Sequence, residues 1–134
     1  MPKLLADRLK KRADFLRAQK GVRRVAAGLT LEICATPELL AREAYFRVGF
    51  TASRKVGNAV ARNRAKRRLR AAAQAVLPSQ ARPCTDYVLV ARPGTLTRPF
   101  ADLLKDLAQT LAAAHVKLVP AATAGSGEPN DARP

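Results

Sequence analysis

The sequence predicts an α+β domain in which helices pack against one face of a single β-sheet. Residues 26–36 and 44–53 alternate apolar and polar side chains, which is typical of half-buried strands. Residues 85–92 form a nearly continuous apolar run, which indicates a strand covered on both faces. Residues 100–115 place Phe and Leu at helical spacing. The chain of 134 residues is long enough for one such domain around a single core.

The predicted elements follow the chain in the order helix, strand, strand, helix, strand, helix. The first helix covers residues 12–20 after a basic, irregular lead-in, and Gly21 ends it. The second helix covers residues 58–77 and ends at Pro78. We expect one domain over residues 1–120 and a disordered tail over residues 121–134.

The second predicted strand has two different faces. One face is apolar and belongs to the core; it consists of Phe46, Val48, Phe50 and Ala52. The other face is polar or small and indicates an open surface; it consists of Tyr45, Arg47, Gly49, Thr51 and Ser53. A glycine on that open face allows another segment to approach the backbone closely.

The charge of the chain is strongly positive. Lys and Arg number 25 against 10 Asp and Glu, which gives a net charge of +15. Such an excess implies a polyanionic partner. Arg dominates over Lys, which favours nucleic acid, although a GC-rich genome also raises Arg and Ala. No apolar run approaches the ~20 residues of a membrane span, and the first residues lack a secretory pattern, so we expect a cytoplasmic protein without a membrane partner.

The segment VGNAVARNRAKRRLR, residues 56–70, carries the densest positive charge. On a helix, Arg62, Lys66 and Arg70 form one row, and Ala65 and Leu69 belong to a separate apolar stripe. A disordered tract would show no such separation. An ordinary solvated face would include Asp or Glu, yet none occurs between residues 43 and 86. The pattern therefore predicts a phosphate-binding face, and free backbone N–H groups at the helix start would add an anion site.

We find no arrangement of side chains that predicts catalysis or metal binding. Cys34 and Cys84 are fifty residues apart, and both are expected to be reduced thiols. His115 is expected to interact with the dipole at the end of the last helix. Asp102 and Asp106 are expected on a solvated helix face. These residues predict a binding module without catalytic residues of its own.

The nucleic acid is expected to be RNA rather than DNA. Side chains that read base edges are sparse on the basic helix, which suits phosphate contacts to a structured RNA. Phe15, together with the polar strand face that carries Tyr45, Arg47 and Thr51, predicts a shallow cleft for single-stranded RNA. The other interpretation is that Phe15 belongs to the core.

The segment FRVGFTASRKVGNAVARNRAKRRLR resembles the signature of the bacterial ribonuclease P protein component, and RLKKRADF and DYVLVAR resemble its flanking segments. The resemblance covers roughly residues 8–115. It implies a fold of the ribosomal protein S5 domain 2 type, with a left-handed β-α-β crossover through the basic helix. It also implies an accessory subunit that binds a catalytic RNA and the 5′ leader of precursor tRNA and promotes removal of the leader. That RNA, rather than the protein, holds the catalytic magnesium ions.

The resemblance also assigns roles to individual residues of this chain. The predicted contacts to the catalytic RNA are Ser53, Arg54, Lys55, Arg62, Asn63, Arg64, Lys66, Arg67 and Arg70. Phe15 and Arg92 match positions in the leader-binding cleft. Many members carry a second aromatic residue where this chain has Gln19, and Tyr45 is a candidate replacement. The alternatives are a ribosomal or architectural RNA-binding protein without a role in processing, and a protein nuclease that acts alone.

Overall fold

A computed structural model describes residues 5–118. Five strands form one sheet: β1 (Leu5–Arg8), β2 (Val22–Val25), β3 (Leu29–Ala35), β4 (Tyr45–Ala52) and β5 (Thr85–Ala91). Three α-helices accompany them: α1 (Arg12–Gln19), α2 (Ala59–Gln80) and α3 (Phe100–Lys117). Short 3-10 turns cover Glu38–Leu40, Arg54–Val56 and Pro93–Leu96. The predicted α+β fold with a single sheet is confirmed.

The sheet has the strand order β1-β4-β5-β3-β2. β4 is parallel to both β1 and β5, whereas β3 is antiparallel to both β5 and β2. The parallel neighbours β4 and β5 are joined through α2, which makes a β-α-β crossover. β5 is the central strand and six of its seven residues are buried, as its continuous apolar run predicts.

The main core lies between one face of the sheet and the helices α2 and α3. α2 packs there through a stripe of mostly small residues, Ala65, Leu69, Ala72, Ala73, Val76 and Leu77. α3 contributes Leu103, Leu107 and Leu111. The sheet contributes alternate residues of its strands, including Leu29, Leu31, Ile33, Phe46, Val48, Tyr87 and Leu89. The alanines allow α2 to lie close to the sheet, while its basic residues remain on the outer side.

The first helix departs from the prediction that the helices share one face. α1 lies on the opposite face, where Ala18 packs with Leu9, Cys34 and Val88 in a second, smaller cluster. The open face of β4 accepts α1 because Gly49 has no side chain. A Cβ at Gly49 would be 2.7 Å from two atoms of the Phe15 ring. The polar face of β4 is therefore partly covered rather than fully open.

Two strands were not predicted. β1 forms in the lead-in that was expected to be irregular; its start is fixed by the Leu5 N–H, which donates to the Ala44 carbonyl at 2.9 Å. Beyond it, the Leu9 N–H donates to the Val48 carbonyl at 2.9 Å. β2, with the sequence VRRV, lacks strict alternation and forms because it pairs with β3. Both strands depend on partners distant in sequence.

Pro78 does not end the second helix as predicted. α2 continues to Gln80, and the Ala81 N–H donates to the Leu77 carbonyl at 2.7 Å. A proline lacks an N–H group, so its position in the last turn removes only one helical hydrogen bond. The tail predicted over residues 121–134 lies outside the described residues.

Two polar residues of α3 are placed differently from the prediction. Asp106 is only 5% exposed, since its carboxylate accepts hydrogen bonds from Arg98 Nε at 2.9 Å and from the Gly28 N–H at 3.0 Å. His115 Nε2 lies 2.7 Å from the Tyr87 hydroxyl. Burial, and secondarily the charge of Arg82, lower the pKa of His115 to about 4. His115 lies in the last turn of α3, as predicted, but burial favours its neutral ring, so we expect no charge interaction with the helix dipole near pH 7.

Candidate nucleic-acid interface

The start of α2 is built by a turn and a helix cap. The Ser53 hydroxyl accepts a hydrogen bond from the Lys55 N–H at 3.3 Å, and Val56 is buried beneath the turn. Gly57 has a φ of 143°, a conformation that favours glycine. The Asn58 side chain accepts from the Ala61 N–H at 2.9 Å and caps the helix. One of the N–H groups predicted to bind an anion is therefore already occupied by the chain itself.

The predicted RNA-binding residues lie together on the outer side of α2 and on the turn before it. Ser53, Arg54, Lys55, Asn63, Arg64 and Arg67 are exposed, and Arg62, Lys66 and Arg70 are half-buried. Within residues 5–118, no carboxylate lies within 4.0 Å of any cationic group in this set. The positive charge of this face is therefore not neutralised by the described part of the chain.

Arg68 lies on the same helix but serves the fold. Its guanidinium donates a hydrogen bond to the carbonyl of Arg98, in the segment before α3. Arg98 in turn forms an ion pair with the buried Asp106, with Nε and Oδ2 2.9 Å apart. Arg68 therefore links α2 to α3, which separates it from the neighbouring residues that face solvent.

A groove of about 540 Å³ lies on the α1 side of the sheet. Its lining residues are Lys10, Arg12, Phe15, Leu16, Gln19, Arg23, Glu32, Phe50, Thr51, Val88 and Val90. Phe15 and Thr51 were predicted for this cleft. Arg92 follows the end of β5, and its Nη1 lies 3.4 Å from the hydroxyl of Thr30. Since Thr30 is paired with Val90, Arg92 is placed just beyond the end of the groove.

Arg47 does not line this groove. Its Nε and Nη2 lie 2.8 Å and 2.6 Å from the two carboxylate oxygens of Asp86, and its Nη2 lies 3.1 Å from Asp14 Oδ1. The Arg47 side chain is 14% exposed and that of Asp86 is fully buried. Hydrogen bonding to Asp86 raises the pKa of Arg47. Its charge is compensated inside the fold, so the prediction that Arg47 lines the leader-binding cleft is wrong.

The same ion-pair cluster fixes α1 on the sheet. Burial would raise the pKa of Asp14, but the hydrogen bond from Arg17 and the charge of Arg47 hold it below its ordinary value. Asp86 also accepts a hydrogen bond from the Thr36 hydroxyl at 2.7 Å. Since Asp14 directly precedes Phe15 in α1, these contacts help to orient the aromatic ring that lines the groove.

Tyr45 also lies away from the groove. The guanidinium carbon of Arg42 is 3.7 Å from the centroid of the Tyr45 ring. Tyr45 stands six residues before Thr51 on β4, about 20 Å along an extended strand. It therefore cannot replace the missing second aromatic residue. Gln19 lines the groove itself, so the position is present but carries an amide.

The sequence model of the family described as Ribonuclease P matches residues 4–115 of this chain. The chain belongs to the ribonuclease P protein family. The ribonuclease P protein component of Ruegeria pomeroyi is 51% identical over 108 residues, which cover 80% of this chain and 85% of the relative. A role as the protein subunit of ribonuclease P in tRNA processing follows from this membership, as the sequence predicts.

Solved ribonuclease P proteins share the fold. The Staphylococcus aureus protein is 28% identical, with a TM-score of 0.63 over 81% of this chain and 95% of that chain. A mutant of the same Staphylococcus protein, described as defective in mRNA degradation activity, is 28% identical, with a TM-score of 0.65 over 81% and 87% of the two chains. Among the described residues of the present protein, no helix has the length and apolarity needed to cross a membrane.

Several residues of this ribonuclease P protein's groove were not predicted from the sequence. Lys10, Arg12 and Arg23 bring positive charge to it, and Glu32 lies at its base. Glu32 is buried, which raises its pKa, and its carboxylate lies 3.9 Å from Arg23 Nε. The basic residues around the start of α1 could have indicated that Lys10 and Arg12 contribute to a binding surface. Arg23 had no such signal, because β2 itself was not predicted.

Proposed function

We propose that the outer face of α2 binds the catalytic RNA of ribonuclease P and that the groove beside α1 holds the 5′ leader of precursor tRNA. The observation that carries this proposal is the set of α2 cations without carboxylate partners in residues 5–118. RNA phosphates would supply the missing negative charge. The complex would act in the cytoplasm, where precursor tRNA is made in bacteria.

The groove suits a single strand rather than a duplex. It combines the Phe15 ring with the apolar residues Leu16 and Val90, and Lys10 and Arg12 add cations. Aromatic side chains beside cations bind single-stranded RNA without strong sequence preference, because every base has a π-face and every nucleotide has a phosphate. A leader of varied sequence fits such a surface.

In this proposal the RNA performs the chemistry and holds the magnesium ions, and the protein contributes binding. At low magnesium the RNA phosphates are poorly screened, and a partner with a net charge of +15 compensates for part of that deficit. The groove has one carboxyl group among its described lining residues, Glu32, and burial raises the pKa of that carboxyl group.

Reconstitution tests this division of labour. Precursor tRNA is incubated at low magnesium with the protein alone, with the catalytic RNA alone, and with both. We expect cleavage at the 5′ end of the mature tRNA only when both are present. An mRNA is included with the protein alone, because the related Staphylococcus protein has a mutant defective in mRNA degradation. Cleavage of either substrate by the protein alone would show that it is a nuclease in its own right.

Arg64→Ala and Arg67→Ala test the RNA-binding face. Both side chains are exposed, so the fold should be retained. Each variant should bind the catalytic RNA more weakly and lower the slope of log K against log salt by about one, because one phosphate contact is lost. Lys105→Ala is the matched control, since it removes an exposed charge from α3. Equal slopes for all three variants and the unaltered protein would contradict this assignment.

A further inference from the structure

A second groove, of about 330 Å³, lies on the other side of the sheet from the first. It runs between β1, β4 and the second half of α2. Apolar groups form most of its wall, including Phe46, Leu77 and Pro78, and the guanidinium groups of Arg8 and Arg70 stand beside it. Its volume is at the low end of the ~300–1,000 Å³ of small-molecule sites, which suits one small planar group rather than a strand.

Two cations share one aromatic ring in this groove. The guanidinium carbon of Arg8 lies 5.6 Å from the centroid of the Phe50 ring, and that of Arg70 lies 5.5 Å from it. Arg8 belongs to β1 and Arg70 to α2, so the Phe50 ring of β4 lies next to cations from two separate elements. Both distances lie within the range of cation–π attraction.

These two charges have no carboxylate within 4.0 Å among residues 5–118. The Nε atom of Arg70 is buried and has no hydrogen-bond partner in that part of the chain. A buried donor without a partner is costly, and two like charges beside one ring repel each other. The two charges without carboxylate partners indicate an anionic ligand.

A nucleotide meets these requirements. Its base is flat and largely apolar on its faces, its edges carry acceptors, and its phosphate is anionic. Guanidinium groups stack on bases and also pair with phosphates, which suits Arg8 and Arg70 together. An acidic peptide would supply the charge, but it would leave the apolar wall of the groove without a matching planar group.

The position of Arg70 connects this groove with the RNA-binding face. Arg62, Lys66 and Arg70 follow one another at intervals of four residues along α2, so an RNA backbone lying on this row reaches the groove at Arg70. We infer that the groove binds one unpaired nucleotide of the catalytic RNA, with its base against the apolar wall and its phosphate at Arg8 and Arg70. This inference rests on the proposed function of α2.

The test uses Arg8→Gln and Phe50→Leu in the full-length protein with the catalytic RNA and no precursor tRNA. Arg8 is exposed and is not part of α2, so its substitution leaves the α2 face unchanged. Phe50→Leu keeps an apolar side chain and removes the ring. We expect each variant to weaken RNA binding by about tenfold, the order of one base stack. Lys105→Gln serves as the charge control, and thermal melts confirm folding.

Chemical probing of the RNA identifies the occupant. One unpaired nucleotide should be protected by the unaltered protein and become reactive again with Arg8→Gln and with Phe50→Leu. If no single nucleotide changes in this way while Arg67→Ala still weakens binding, the groove is not a nucleotide site and the α2 proposal stands. If Arg67→Ala also has no effect, the proposed function of α2 fails as well. In a second titration that includes precursor tRNA, a loss of affinity seen only there, with unchanged binding of the catalytic RNA alone, would likewise overturn the assignment.

Discussion

Phe15 packs on the sheet and lines the groove beside α1 with the same ring. The contact depends on Gly49, where a Cβ would lie 2.7 Å from Cε1 and Cζ of Phe15 and 3.0 Å from the Leu9 Cβ. The ring is half-buried: it packs against the smaller cluster and also lines the groove, so burial alone does not decide between a core role and a role in binding. Its substitution is expected to affect binding and stability together, in proportions that can be measured.

Phe15→Ala should weaken binding of precursor tRNA by ~1–3 kcal/mol, the range for one stacked base. Mature tRNA, which has no leader, should bind as before. The free energy of unfolding should fall by less than the ~3–5 kcal/mol of a fully buried Phe. Binding titrations with both tRNAs and thermal melts give these values. An unchanged preference for the precursor together with a large loss of stability would place Phe15 in the core alone.

Gly49→Ala should reproduce the loss of leader binding while the aromatic residue is still present. The added methyl group must displace the Phe15 ring, since the surrounding strand cannot yield easily. We expect ~1–3 kcal/mol of destabilisation and a reduced preference for precursor over mature tRNA. The same pair of binding titrations is the measurement. Full preference for the precursor in a stably folded variant would show that the ring position does not matter.

The sequence predicts the residue types of the site better than the partners of those residues. Alternation along β4 correctly separates Phe46 and Val48 from Arg47 and Gly49. It cannot show that Arg47 meets Asp14, 33 residues away, and Asp86, 39 residues away. These ion pairs exist only after α1 and β5 are packed against β4. For the same reason, the spacing could not show that Tyr45 is too far along the strand to reach the groove.

At the level of elements, α3 is attached to the sheet through a buried polar contact. The Tyr87 hydroxyl of β5 accepts from the Arg82 N–H at 2.7 Å and also meets His115 Nε2 at 2.7 Å. The Tyr87 ring packs edge-on against both Phe46 and His115. The end of α3 is therefore held by a neutral histidine, and protonation of that ring opposes the folded state.

His115→Gln should flatten the pH dependence of stability between about pH 6.5 and pH 4. The pKa of His115 is about 4 in the folded protein and ~6.5 in the unfolded chain, so the unfolded chain binds more protons in this range. Stability therefore falls as the pH falls through it. Because solvent screens this half-buried group, we expect the free energy of unfolding to fall by about 1–2 kcal/mol. Urea unfolding at a series of pH values measures it, and parallel curves for both proteins would contradict the assignment.

The elements of seven or more residues could be predicted from the sequence, and the two four-residue strands could not. α2, α3 and β5 have enough residues for their apolar patterns to be distinctive, and all three lie close to their predicted positions. β1 and β2 have four residues each, and they form because β4 and β3 supply backbone partners. Leu5 and Leu9 have helical spacing, but pairing with β4 overrides it.

Across residues 5–118, the charges are divided between paired groups inside the fold and unpaired cations on α2. The carboxylates of Asp14, Asp86 and Asp106 are buried in ion pairs beside or between the packed elements. The charged residues on the outer face of α2 are all cations, since the sequence has no Asp or Glu between residues 43 and 86. In the folded protein without RNA, the cations on the outer face of α2 therefore repel one another.

Screening of that repulsion should stabilise the free protein. Raising KCl from about 0.1 M to about 1 M shortens the Debye length from about 10 Å to about 3 Å. We expect the free energy of unfolding to rise by about 1 kcal/mol, which is a few degrees in Tm. A variant with Arg62, Lys66 and Arg67 replaced by Gln should show a smaller rise. A Tm that falls with salt in the unaltered protein would show that its ion pairs outweigh the repulsion.

The central position of β5 has a consequence for the order in which the chain folds. Without β5, the sheet would consist of two separate strand pairs, β1 with β4 and β2 with β3, with no hydrogen bonds between the pairs. During synthesis the whole of α2 emerges before Thr85, so the basic helix leaves the ribosome before the strand that completes its sheet. The nascent chain thus presents this basic segment, surrounded by ribosomal RNA, before β5 is available, and completion of the sheet must wait for that strand.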